Sequence, residues 1–190
     1  QNGGQPGLLR QYCQERGLNV STVYPRQVAS PPADRDLGGV RLDWAKLAAW
    51  VDSTYRGPWA GKADHPHGVP RVVADLMDEP GGITFAGPEY QQEFRAYLQA
   101  QGFTPEFFGK KAWEEIETPS FGWWQYFKLR DPILQDGSLE ARRLFFWQAR
   151  FWNDCTAKMY ALATEKVLAR DPNVIGTRVN FGPPWWYDYG

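Results

Sequence analysis

Three short apolar runs rich in β-branched residues punctuate this chain, and stretches with helical periodicity lie between them. The runs are residues 18–24 (Leu-Asn-Val-Ser-Thr-Val-Tyr), 72–77 (Val-Val-Ala-Asp-Leu-Met) and 174–181 (Val-Ile-Gly-Thr-Arg-Val-Asn-Phe). A short apolar run closed off by turn residues is how a strand buried on both faces reads. Leu42, Trp44, Leu47, Ala48 and Val51 have helical spacing, with Asp43 placed as an N-cap. Tyr90, Phe94, Tyr97 and Leu98 make the stripe of a second helix that stops at Gly102. Ser138 opens a third that runs to Arg170, roughly 50 Å long at the standard rise, and Asp171-Pro172 ends it. A shorter helix over residues 8–16 is expected before Gly17. Strands alternating with helices predict an α/β fold with a parallel sheet built from right-handed βαβ units.

Its 190 residues suffice for one domain with a real core, and a single domain is expected over residues 1–190, with a long aromatic excursion at 103–137. The net charge is -1 and no basic stripe appears, which argues against a nucleic-acid partner. Strictly apolar runs such as Leu144-Phe145-Phe146-Trp147 are only a few residues long, far too short to cross a bilayer. A basic-then-apolar signal is not seen at the N-terminus, and since a signal can be removed, a secreted or periplasmic location stays open. Cys13 and Cys155 are too few for a disulfide framework or a zinc site; they are either buried thiols or one bridge. His65-Pro66-His67 lacks a nearby third ligand and reads as a solvated loop, so neither a metal nor a cofactor is expected. Asn19-Val20-Ser21 fits a glycosylation acceptor but falls in an expected buried strand.

Aromatic residues are unusually frequent: 10 Trp, 9 Tyr and 11 Phe. Many stand in Pro/Gly-rich stretches, such as Phe121-Gly122-Trp123-Trp124 and Pro183-Pro184-Trp185-Trp186-Tyr187. Most are expected to fill gaps between loop and core. Those left exposed are candidates to bind something.

Active sites of parallel α/β folds gather at the carboxyl ends of strands. Three positions qualify: Tyr24-Pro25-Arg26, Asp78-Glu79 and Asn180-Phe181. Asp78-Glu79-Pro80-Gly81-Gly82 is the most informative. A carboxyl group beside a second one has its ionised form disfavoured, and a retained proton is what a general acid needs near neutral pH. The bland alternative is that Glu79 caps a turn or pairs with Arg26 or Arg178. Asp34 and Asp36 are expected to serve turns, and Glu114, Glu115 and Glu117 to form a solvated face.

The stretch Val72 through Gly81 resembles the fourth strand of clan A glycoside hydrolases, where an Asn-Glu pair ends the strand and the Glu is the acid/base. The layout downstream is similar to the family 42 β-galactosidase group. It has an aromatic-striped helix (Phe94, Tyr97, Leu98), a Trp-containing excursion (Ala112 to Pro119), a long Arg-Phe-Trp helix from Arg143, and a strand ending in Asn180-Phe181. The resemblance covers roughly residues 70–181. It implies part of a (β/α)8 TIM-barrel, with Glu79 as acid/base of a retaining mechanism. Two departures stand out. Asp78 replaces the family's Asn, and the family nucleophile, a Glu at the seventh strand, has no counterpart, so that a fragment of a barrel, or a half completed by another subunit, is expected.

These expectations combine into a carbohydrate-active protein, a glycosidase or a fragment lacking the nucleophile, acting on an oligo- or polysaccharide. Asp78, Tyr24, Arg26, Asn180, Trp185 and Trp186 would contact the sugar. The alternatives are a non-catalytic carbohydrate-binding domain and a protein-interaction domain. Oligomerisation stays open.

Overall fold

A computed structural model of the chain describes residues 15, 21–23, 29, 31–55, 72–78, 83–172 and 174–180, and leaves aside the side chains of residues 21–23, 72, 75, 78 and 180. The strands are β1 (Ser21–Val23), β2 (Val40–Arg41), β3 (Val72–Asp78), β4 (Phe85–Ala86), β5 (Ser120–Phe121) and β6 (Val174–Asn180). The helices are α1 (Trp44–Thr54), α2 (Pro88–Ala100), α3 (Trp123–Asp136) and α4 (Leu139–Arg170). The fold is mixed α/β with parallel pairing. The chain divides into two compact units, one of residues 1–30, 48–80 and 160–190, the other of residues 31–47 and 81–159.

The first unit holds a three-stranded sheet in the order β1-β3-β6, parallel throughout. Ala74, Leu76 and Met77 of β3 are all buried although they do not share one phase of the strand, as expected where both faces of a parallel sheet are covered. The β3–β6 ladder shifts register twice. Val72 pairs with Val174 but Val73 with Gly176, leaving Ile175 as an extra residue on β6. Asp75 pairs with Arg178 but Met77 with Val179, leaving Leu76 extra on β3. The carbonyl of Leu76 instead accepts from the Ala29 N–H. The two shifts cancel, so both seven-residue strands end level.

The end of α4 is fixed to the same unit by polar contacts. Thr164 and Thr177 hydroxyls lie 2.7 Å apart, and the Lys166 ammonium sits 3.3 Å from the Asp52 carboxylate. The Tyr55 hydroxyl donates to Asp171, and both residues are buried. Asp171 also accepts at its backbone carbonyl from Val174, turning the chain from helix into β6.

The second unit is built on aromatics. Tyr90, Phe94 and Leu98 of α2, four residues apart, are wholly buried. The Phe151 ring of α4 meets Tyr90, Phe94 and Tyr97 at centroid distances of 5.1, 5.4 and 5.1 Å. Burying each such side chain contributes about 1.5–3 kcal/mol. A small sheet lies in the order β2-β4-β5, with β2 and β4 parallel and β4 and β5 antiparallel. The Trp152 indole N–H donates to the Ile83 carbonyl at 2.6 Å.

Three helix boundaries follow the expected caps, while the helix expected over residues 8–16 with its Gly17 cap lies, Glu15 apart, outside the described residues. Asp43 accepts from the Lys46 N–H at α1, and Ser138 accepts from the Ala141 N–H at α4. Past the end of α2, Gly102 takes a positive φ of 81°. The excursion at 103–137 is more regular than the sequence suggests. It contains two short 3-10 turns, β5 and the 14-residue α3. Pro132 lies inside α3 and removes one helical hydrogen bond, and no α3 side chain is fully buried. Gly122, just before α3, packs so closely on β4's neighbour that a Cβ there would lie 2.7 Å from the Thr84 Cα.

Candidate functional site

Parallel pairing places the carboxyl ends of β3 and β6 side by side, and the cancelling register shifts make Asp78 and Asn180 direct partners. Adjacent strands run about 4.8 Å apart, so one small polar substrate group can meet residues from both. An Asp carboxylate accepts hydrogen bonds, whereas an Asn amide both donates and accepts. Of the residues expected at the site, the structure brings these two together. Glu79 follows Asp78 directly in the chain and lies outside the described residues, as do Tyr24, Arg26, Trp185 and Trp186. His65 and His67 lie outside them too.

Several residues singled out by the sequence have structural work instead. Asp34 accepts from the Asp36 and Leu37 N–H groups, closing a turn bridged by Asp34 and Gly39. Arg41 joins Asp34 and Glu89, and the backbone N–H of Glu89 together with that guanidinium holds the Glu89 carboxyl below its ordinary range despite some desolvation. Glu114, Glu115 and Glu117 are exposed. Cys155 is a free, buried thiol, so it is not bridged to Cys13. Burial pushes its pKa up to about 12, reinforced by the Glu93 carboxylate and opposed by Lys158. A thiol so protonated is no nucleophile near neutral pH. Among the described residues no cluster of His, Cys, Asp and Glu could hold a metal.

A concavity lies within the unit formed by residues 31–47 and 81–159. It is a cleft of about 530 Å³ whose lining includes Leu37, Pro88, Gln91, Arg95 and Pro119, with Asp36 and Glu117 also at its wall. Gln91 and Arg95 stand one helical turn apart on α2, a polar row beside the Tyr90-Phe94-Leu98 stripe, and that spacing was the available signal. Their polar groups are committed to the fold. Gln91 donates to the Ile116 carbonyl at 2.7 Å and accepts from the Thr118 N–H, while Arg95 donates to the carbonyls of Ile116 and Glu114. The cleft therefore doubles as the clasp that holds residues 114–118 on α2.

No known family model, curated protein or solved structure matches this chain.

Proposed function

We propose that the chain is carbohydrate-active, a glycoside hydrolase whose acid/base is Glu79 and whose parallel strands form a section of a (β/α)8 barrel. The observation that carries this reading is the pairing of Asp78 with Asn180 at the carboxyl edge of the sheet, immediately before Glu79. The barrel reading draws support from strand order following chain order, β1 then β3 then β6, all parallel. The Asp-Glu-Pro turn and the Asn-Phe strand end support resemblance to clan A enzymes.

In this reading Asp78 and Asn180 hold a sugar hydroxyl. Glu79, protonated, passes its proton to the glycosidic oxygen as the bond from the anomeric carbon to that oxygen breaks, then as a carboxylate takes a proton from the incoming water. Retention needs a second carboxylate about 5–5.5 Å away as nucleophile. Among the described residues, the strand ends offer no carboxylate other than Asp78 for comparison, and the nucleophile is not assigned. The substrate is an oligo- or polysaccharide. Replacing Glu79 with Gln keeps the shape and removes the transferable proton. Hydrolysis across a panel of aryl glycosides is expected to fall by about 10²–10⁴; turnover equal to that of the unaltered chain would remove Glu79 from the role.

A further inference from the structure

The cleft beside α2 carries three formal charges that the fold itself leaves unmatched. Arg95 is half-buried, and both acceptors of its side chain, the Ile116 and Glu114 carbonyls, are neutral. A guanidinium has five N–H donors, and the clasp on residues 114–118 uses two of them. Its charge is thus held in place without a carboxylate partner among the described residues. Asp36 and Glu117, both exposed at the wall, likewise form no ion pair among the described residues. Leu37, Pro88 and Pro119 supply apolar surface between them.

Contacts already made order these groups along the cleft. At the start of α2, Leu37 lies so close to Gly87 that a Cβ there would be 3.0 Å from its Cδ1 methyl, and the Gly87 N–H donates to the Pro119 carbonyl. Asp36 directly precedes Leu37 and belongs to this end. Arg95 marks the other end, two helical turns beyond Pro88, about 10 Å along the axis. Glu117 lies between them, since Ile116 is held by Arg95 and Pro119 by Gly87. Acid, acid and base thus follow one another over about 10 Å. Three residues of extended peptide span the same length, at about 3.3–3.6 Å each. A tripeptide with a basic middle residue presents the opposite charges in the same order: α-ammonium, cationic side chain, carboxylate. A sugar fits less well. Among the described residues no aromatic ring lines the cleft to stack on a pyranose, and neutral hydroxyls would leave three charges unpaired. The volume of about 530 Å³ is in the range of small-ligand sites.

We infer that this cleft binds a short peptide with free ends and a basic middle residue, its carboxylate on Arg95 and its cationic groups on Glu117 and Asp36. The site is separate from the proposed glycosidase centre and does not rest on it. The test is titration calorimetry of the full chain with Ala-Lys-Ala, its N-acetylated and C-amidated forms, Ala-Glu-Ala and putrescine. Ala-Lys-Ala is expected to bind saturably, and each of the other probes about tenfold or more weakly, the scale of one charge-assisted hydrogen bond. Asp36→Asn and Glu117→Gln alter carboxylates that hold no bond of their own among the described residues. Each should weaken binding of Ala-Lys-Ala by about three- to tenfold without moving the urea midpoint. In Arg95→Gln, the free and amidated peptides should bind alike. No saturable binding of Ala-Lys-Ala, equal binding of its blocked forms by the unaltered chain, or indifference to both carboxylate substitutions would each overturn the inference. So would putrescine binding as tightly as Ala-Lys-Ala, which would make the cleft a site for cations alone. Glu79→Gln should bind Ala-Lys-Ala as the unaltered chain does, so failure of the acid/base reading leaves this result untouched.

Discussion

Asp78 and Asn180 face each other as register partners at the ends of two parallel strands that stand almost a hundred residues apart in the chain. They meet because an extra residue on β6, Ile175, is matched by an extra residue on β3, Leu76. Either shift alone would leave the two ends out of step by one residue.

From that pairing, Asp78→Ala and Asn180→Ala are each expected to lower kcat/KM on a sugar substrate by about tenfold or more, the scale of one hydrogen bond involving a charged group. The double variant should lose less than the product of the two, because both hold one group. Steady-state kinetics on the three variants, with circular dichroism to check folding, would reveal it; strictly multiplicative losses would show that the two residues act apart.

Gly122→Ala is expected to destabilise the unit that contains α3 by about 1–3 kcal/mol, an overpacking effect. Its backbone is extended, so no glycine-only conformation is lost. The cost is steric, against the Thr84 backbone and side chain. Urea denaturation would measure it, and an unaltered midpoint would mean that β4 and α3 separate readily.

Alkaline pH should destabilise the fold well before any backbone chemistry begins. Burial raises the pKa values of Tyr55, Tyr90 and Cys155, with Asp171 adding to the rise at Tyr55. A raised folded-state pKa means that the folded chain keeps its proton while the unfolded chain releases it. Stability from these groups is thus complete below their unfolded pKa values and is lost as pH climbs toward the folded ones. For Cys155 the window opens near pH 9 and closes near 12, with a slope approaching about 1.4 kcal/mol per pH unit per group. Cys155→Ala should flatten the fall in urea midpoint between pH 9 and 10, whereas an identical fall would place the thiol's titration elsewhere.

The strands that carry the strand-end pair were legible because they are long enough to show β-branched, apolar content. Residues 72–77 and 174–181 differ from β3 and β6 by one residue each. The stripe of Tyr90, Phe94 and Leu98 marked α2 for the same reason. Strands β2, β4 and β5 have two residues each, too short for any period, and exist through tertiary packing around Phe85 and Phe121. Helix α3 was hidden by Pro132 and by aromatics on several sides, which blur a helical stripe. For the site, position at a strand end could be read from Asp78 and Asn180 individually. Their partnership could not, since it depends on strand order and on two bulges, neither of which leaves a local sequence mark. Trp123 and Trp124 are neighbours of identical type, and packing tells them apart: Trp123 lies against Phe127, whereas Trp124 is exposed.

Glu79 as proton donor is tested most directly by leaving-group dependence. In Glu79→Gln, hydrolysis of a glycoside with a strongly activated leaving group, such as dinitrophenol, needs little protonation, whereas an unactivated leaving group such as a second sugar needs it fully. The ratio of the two kcat/KM values should therefore rise by about 10²-fold or more over the unaltered chain. A ratio unchanged by the substitution would contradict an acid role for Glu79 and, with it, the reading of the Asp78–Asn180 edge as a glycosidase site.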